Sequence, residues 1–173
     1  GDGFPDIALV GGNGWTQVHM AMGKGDGTFN IQSFSAVNFA RLAAKKGAII
    51  IAGGFRSNSQ KGIAVLADNV IMTVYISGAS MFETQMGFIS PEGYPFWSYA
   101  ADPKTTIVAA DYNGDGRTDL AIVGRSDFNA IPMAFSKGDG TFTLTRKYQN
   151  DFPAWATTKG ARVYAMDVNQ DMR

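Results

Sequence analysis

Oxygen-bearing side chains fall at positions 1, 3, 5 and 9 of the stretch Asp111-Tyr112-Asn113-Gly114-Asp115-Gly116-Arg117-Thr118-Asp119. Alternate residues of a tight loop can turn inward around one point, and Gly114 and Gly116 permit the backbone angles that such wrapping needs. Hard cations such as calcium take about six to eight oxygens from carboxylates, amide carbonyls, backbone carbonyls and water. The loop offers Asp111, Asn113, Asp115 and Asp119, with the backbone carbonyl of Arg117 as a further donor, so the chemistry expected of it is calcium coordination. It is not an EF-hand: the position where that loop carries a bidentate Glu is Ile122 here, and the flanks are not helical in pattern. The competing reading is an Asx-rich turn without metal. Three carboxylates converging on one loop favour the cation.

The flanks of the loop, residues 105–110 and 120–123, are short, apolar and β-branched, which is strand patterning. The same arrangement recurs along the chain. Asp2 and Asp6 of the opening Gly1-Asp2-Gly3-Phe4-Pro5-Asp6 match Asp115 and Asp119 at an offset of 113, and Gly25-Asp26-Gly27-Thr28-Phe29 matches Gly138-Asp139-Gly140-Thr141-Phe142 at the same offset. A third copy, 52–65, aligns with 109–122 at an offset of 57, but Gly54, Arg56, Asn58 and Gly62 stand where the oxygen donors stood. This copy is expected to keep the turn without the metal, with the fixed charge of Arg56 standing in for the cation. A fourth loop begins at Asp167, Asn169 and Asp171, an offset of 56 from Asp111, Asn113 and Asp115. The metal candidates are therefore Asp111, Asn113, Asp115, Arg117 and Asp119, with Asp2 and Asp6 at one end of the chain and Asp167, Asn169 and Asp171 at the other.

A period of 56 to 57 residues divides the chain into units 1–53, 54–110 and 111–166, with 167–173 opening another loop. Each unit repeats the same parts. A strand leads into the loop (48–52, 106–110, 162–166), a second leaves it (6–10, 63–66, 120–123), and a third follows (17–22, 71–76, 130–135). A turn then leads to a fourth strand starting at Phe29, Phe82 or Phe142. Four short antiparallel strands per repeat of this length describe a β-propeller blade, so the expected fold is all-β with about three blades of a partial propeller. Since a propeller closes with about four to eight blades, the chain reads either as cut from a longer array or as half of a ring shared between two copies.

Two units carry an aromatic box ahead of the loop strand, Tyr94-Pro95-Phe96-Trp97 and Phe152-Pro153-Ala154-Trp155; the first unit has Phe39-Ala40-Arg41-Leu42. Indole faces stack on the C–H faces of sugar rings, so Trp97 and Trp155 are carbohydrate-site candidates. They are equally candidates for packing between blades. The connection between second and third strands supplies Trp15 in one unit and Asp127, Phe128 and Asn129 in another, an aromatic among polar neighbours that suits a ligand rim or an ordinary hairpin with a buried ring.

Composition narrows the classes. Fifteen basic residues balance fifteen acidic ones, which leaves no basic footprint for nucleic acid. No apolar run approaches a membrane span, so membrane insertion is not expected. With no cysteine and a single histidine, His19, in an alternating apolar strand, no Cys-His or zinc constellation can be assembled, and nothing marks a Ser-His-Asp set around His19. The expectation is a binding module, not an enzyme, and a calcium loop favours a secreted or extracellular setting.

With these residues in hand, the pattern Asp-x-Asn-x-Asp-Gly-x-x-Asp followed by Leu120-Ala121-Ile122-Val123 resembles the FG-GAP/VCBS-type repeat of integrin α-subunit propellers and many secreted proteins. The longer stretch from Ile131 to Phe142, with Phe152 and Trp155 ahead of the next loop, is similar to the repeats of the fungal Psathyrella velutina lectin family. That resemblance implies a seven-bladed propeller binding N-acetylglucosamine and sialylated glycans, or glycoproteins bearing them, in pockets between blades, with calcium in some loops. The likeness is weakest in the middle unit, where Gly78-Ala79-Ser80-Met81-Phe82 replaces the Gly-Asp-Gly-Thr-Phe turn. The alternative is an integrin-like protein-interaction or scaffold propeller, belonging to a larger toxin or surface protein.

Overall fold

A computed structural model describes residues 2–87, 96–149 and 151–168, the side chains of 85–87 excepted. Its strands form three antiparallel sheets, each made of strands consecutive in sequence. The first holds β1 (Ile7–Leu9), β2 (Gln17–Gly23) and β3 (Phe29–Ser35). The second holds β4 (Ile49–Ser57), β5 (Gln60–Ala67), β6 (Val70–Ser77) and β7 (Ser80–Gly87). The third holds β8 (Thr106–Ala110), β9 (Asp119–Val123), β10 (Ala130–Ser136) and β11 (Phe142–Tyr148). The fold is all-β, three blades of a partial propeller. The sheets stand one strand out of step with the repeat units counted from the loop, because the loop joins the first and second strands of a single sheet.

Turn chemistry sets the hairpins. Asp68 and Asn69, between β5 and β6, take positive φ of 52° and 59°, the mirror-image turn whose twist matches that of the flanking strands. In the Gly-Asp-Gly-Thr turns, Asp26 Oδ1 accepts from the Thr28 amide at 2.8 Å and Asp139 Oδ1 from the Thr141 amide at 2.8 Å. The threonine side chains and then these amides hold both carboxyls below the usual carboxylate range.

Period-two alternation gives the middle sheet two buried faces. Ile63, Val65, Met72 and Val74 turn one way into a core shared with Val18 of β2, while Ala64, Leu66 and Ile71 turn the other way against Leu120, Ile122 and Phe142 of the third sheet. A short helix completes each core: α1 (Val37–Ala43) supplies Phe39 and Leu42 to the first, and α2 (Phe96–Ala100) supplies Phe96 to the second. Phe39 and Phe96 are fully buried, each worth roughly 2–3 kcal/mol of apolar transfer. A third helix, α3 (Phe152–Trp155), follows the last sheet with Pro153 in its first turn, where the missing amide proton is no loss. The aromatic boxes thus fold as helices, which strand-based reading did not foresee; Tyr94 and Pro95 lie outside the described residues.

Three strand expectations are corrected. The first sheet has three strands, not four, among the described residues. Residues 162–166 take no strand pairing, because no neighbouring strand among the described residues lies alongside them. In the middle unit β4 and β5 run on through the expected loop to a two-residue turn at Asn58-Ser59, with a register shift between Gly53 and Ser57. Lacking oxygen donors to organise a loop, this segment pairs its backbone instead.

Candidate functional site

The loop between β8 and β9 is closed at its base by the pairing of Ala110 with Asp119. Gly114 and Gly116 adopt φ of 76° and 80°, as the wrapping requires. The Asp111 carboxylate accepts from three loop amides: Oδ1 from Gly114 at 2.8 Å and Asp115 at 3.1 Å, Oδ2 from Gly116 at 2.7 Å. Asp115 Oδ1 accepts from the Arg117 amide at 2.9 Å, while Oδ2 takes the Arg117 guanidinium at 2.5 Å and the Asn113 side-chain amide at 2.9 Å. Arg117 is itself held by Nε donating to the Ser136 carbonyl at 2.8 Å.

Asp119 is fully buried, with Oδ1 accepting from the Ser136 amide at 2.8 Å and Oδ2 from the Tyr112 amide at 3.1 Å. Burial pushes its carboxyl up to about 6, against the lowering effect of those two amides, and the charges of Asp115 and Asp111 push the same way as burial. The Tyr112 hydroxyl, half-buried and close to Asp119, is raised to about 12, desolvation being the larger cause.

The donor set is chemically that of a hard-cation site: three carboxylates, an amide oxygen and backbone carbonyls, with excess negative charge at Asp119. Its arrangement is that of a loop closed on itself. Among the described residues, no three His, Cys, Asp or Glu side chains gather closely enough to hold an ion by themselves. Asp115 is turned onto Arg117, and Asp111 is spent on the loop's own amides.

The first unit shows which part of this arrangement is architectural. Asp6 Oδ1 accepts from the Gly23 amide at 2.9 Å, the counterpart at an offset of 113 of Asp119 on Ser136. The last aspartate of each loop therefore clamps the second strand of its blade to the third, a role that spacing alone did not suggest. Asp2 Oδ1 accepts from the Phe4 amide at 3.0 Å. Asp167 is exposed, and Asn169 and Asp171 lie outside the described residues.

In the middle unit Gly62 replaces that aspartate, and a Cβ there would lie 2.3 Å from the Val74 carbonyl oxygen, so the backbones have closed over the space. Arg56 does not stand in for a cation. Its guanidinium lies 4.5 Å over the Tyr75 ring and donates to the Tyr75 hydroxyl at 2.9 Å, because an arginine with no acidic partner among the described residues stacks on an aromatic face.

The sugar candidates separate by burial. Trp97 packs, partly buried, against the core between the second and third sheets. Trp155, level in the repeat with Tyr99 of α2 and Leu42 of α1, is 66% exposed. Phe128, which suited either a ligand rim or a hairpin with a buried ring, is 6% exposed, with its ring 4.9 Å edge-on from Tyr99 of α2. Its apolar ring is drawn into the core while its neighbours stay outside. Asp127 pairs with Arg125, whose Nε and Nη2 donate at 2.8 and 2.6 Å, and that partner holds the Asp127 carboxyl below its usual range. Arg125 also donates to Asp102 at 3.1 Å and lies over Tyr99. Asn129 is exposed, its side-chain oxygen accepting from Arg146 at 2.7 Å. Trp15 lies flat over Gly12, where a Cβ would come within 2.2 Å of the indole, and meets His19 edge-on at 4.6 Å. His19 Nδ1 in turn shares a 2.7 Å hydrogen bond with Ser33 Oγ. The structure therefore leaves Trp155, Trp15, Asp127 and Asn129 at the surface, distributed over two blades, and assigns Trp97 and Phe128 to packing.

Blades of consecutive antiparallel strands, with an oxygen-rich loop between the first two, define a propeller of the repeat-containing class. Residues 111–173 match the family model of the FG-GAP-like repeat. The fold is shared with the solved structure of a lectin from Agrocybe aegerita, reported for its specific recognition of non-reducing terminal N-acetylglucosamine. The two superpose with a TM-score of 0.59 at 20% identity, over 82% of this chain and 35% of that one. The chain thus spans about a third of the length of that lectin. No curated protein matches the sequence. Among the described residues, no helix is long and apolar enough to cross a membrane.

Proposed function

We propose that this chain is a carbohydrate-binding propeller segment, a lectin for glycans ending in N-acetylglucosamine or sialic acid. The observation that carries the reading is the fold shared with a lectin known for terminal N-acetylglucosamine. The exposed indole of Trp155 and the half-exposed indole of Trp15 supply flat apolar faces for the C–H side of a sugar ring, and Asp127 and Asn129 supply acceptors and donors for hydroxyl and acetamido groups. Each such contact is weak, and repetition over blades adds avidity.

Calcium belongs to the same proposal. The ion would be held by Asp111, Asn113, Asp115 and Asp119 with the Arg117 carbonyl, and would neutralise the buried charge of Asp119. Binding requires Asp115 to exchange the Arg117 guanidinium for the cation. The chain's role is then to recognise glycoproteins outside the cell, without catalysis.

A glycan array probed with the folded chain, in calcium and again in chelator, tests the reading. Selective retention of N-acetylglucosamine- or sialic-acid-terminated glycans, lost on Trp155→Ala or Trp15→Ala, supports it. A folded chain that ignores every glycan in both conditions sinks it, and leaves protein recognition as the function of these blades.

A further inference from the structure

We infer that the loop holding Asn113 promotes that residue's own deamidation, with the Gly114 backbone nitrogen as nucleophile. In this step the nitrogen bonds to Cγ of Asn113, the bond from Cγ to Nδ2 breaks, and ammonia leaves with the proton that the nitrogen gives up. Water then opens the cyclic imide, at one carbonyl to aspartate and at the other to isoaspartate. The chain has exchanged one ammonia for one water, and no further reactant is needed. Glycine favours the step because it has no Cβ to crowd the approach. Asn-Gly occurs twice, at Asn13-Gly14 and Asn113-Gly114, and both pairs are exposed to the water that completes the reaction. Their surroundings separate them.

At Asn113 each partner that the step needs is in place. The Gly114 N–H donates to Asp111 Oδ1 at 2.8 Å, so a carboxylate oxygen stands ready to receive the proton as the new bond forms. The Asn113 side-chain carbonyl accepts from the Asp115 amide at 3.1 Å, a donor it shares with Asp111. That amide stabilises the negative charge that builds on the carbonyl oxygen during attack. A side-chain carbonyl bonded two residues ahead also lays the side chain back along the backbone, over the intervening nitrogen. The other end of the same side chain, Nδ2, donates to Asp115 Oδ2 at 2.9 Å. Held at both ends, the group meets its nucleophile without a search through rotamers. Asn13-Gly14 lacks this apparatus. It lies at the centre of a turn closed by the Trp15 amide on the Gly12 carbonyl at 3.1 Å. Among the described residues, no carboxylate accepts from the Gly14 amide and no donor meets the Asn13 side chain. The product bears on the loop itself: aspartate at position 113 adds a fourth carboxylate to the donor set, whereas isoaspartate lengthens the backbone inside the turn.

The folded 173-residue chain, incubated in chelator at neutral pH and mapped over time by peptide mass spectrometry, tests this. Chelator keeps the loop in the arrangement described, so the outcome does not depend on the calcium reading. Asn113 should convert several-fold faster than Asn13, to aspartate and isoaspartate together, with ammonia released in step. In the chain unfolded by urea the two sites should react alike, because only the dipeptide is left. Asp111→Asn keeps an acceptor oxygen on the Gly114 amide but replaces the base with a neutral amide. In that variant, shown to be folded by its thermal melt, Asn113 should slow to the pace of Asn13 while Asn13 is unmoved. The proposal is overturned if Asn113 reacts no faster than Asn13 in the folded chain, or keeps its lead in urea or in folded Asp111→Asn.

Discussion

Glu83 of β7 accepts from the Phe39 amide at 2.8 Å, across 44 residues of sequence, and so caps a helix that belongs to the preceding blade. Helix α1 begins at Ala36 with no side-chain cap of its own, and Glu83 Oε2 also takes the Asn38 side-chain amide at 3.2 Å. A helix start leaves amide donors without intrahelical partners, and a carboxylate there also suits the helix dipole. One side chain thereby fixes how the first blade, through its following helix, meets the second.

Glu83→Ala should therefore destabilise the chain by about 1–2 kcal/mol, the usual cost of a lost cap with a partly buried donor. Glu83→Gln, which keeps an acceptor, should cost less than half of that. Thermal melts of the two variants decide the matter: equal losses would mean that charge, not the hydrogen bond, holds the helix.

The two tryptophans of the aromatic boxes should part company. Trp97→Ala removes a ring packed between blades and is expected to cost about 2 kcal/mol. Trp155→Ala removes an exposed ring and should leave monomer stability within about 0.5 kcal/mol. Denaturant melts of both, beside glycan binding of the second, separate packing from recognition.

In chelator, acid should stabilise this protein. The carboxyl of Asp119, raised in the folded state to about 6 from 3.8, binds its proton more tightly when folded than when unfolded. Stability from this group is thus fully present below about pH 4 and is lost as pH rises through 6, by up to about 3 kcal/mol. Melting temperature measured without calcium should rise between pH 7 and pH 5, and Asp119→Asn should flatten that slope. A flat profile in the unsubstituted chain would show that the carboxylate is already compensated at neutral pH.

Added calcium should raise the melting temperature at pH 7, with a concentration dependence equivalent to about 2.7 kcal/mol when the ion stands at a hundred times its Kd. Asp111→Ala should abolish the shift. Terbium luminescence sensitised through Tyr112 offers a second readout, because that ring adjoins Asp119. An unshifted melt and a dark terbium titration together would leave the loop as a hydrogen-bonded turn.

The repeat made the blades legible in the sequence. Gly-Asp-Gly-Thr spacing marked the third hairpin of the outer units, and the register of Asp6 and Asp119 followed from one offset. The middle blade was harder. Its turns are two-residue hairpins, of which Asp68-Asn69 between apolar runs is the clearest sign in the sequence. Arg56 was misplaced because its preference for the Tyr75 face depends on a strand two places away in the sheet. For Phe128 the sequence left rim and buried ring both open, because its neighbours are polar; Tyr99 and the core beneath it decide its position. The helices escaped for a related reason: four to seven residues hold too little periodicity to register, and what forms them is the apolar space between blades.

The middle sheet, with Ala64, Val65 and Leu66 inaccessible and a neighbouring sheet on either face, also has a kinetic meaning. Every sheet is built from chain-neighbour hairpins, and the middle sheet alone packs against both of the others in the two cores of the described residues, so opening can begin at the first or the third sheet. Deuterium should enter the amides of β1 first and those of β5 last. The blade that has shed its loop aspartates is thus the one that keeps the array from coming apart.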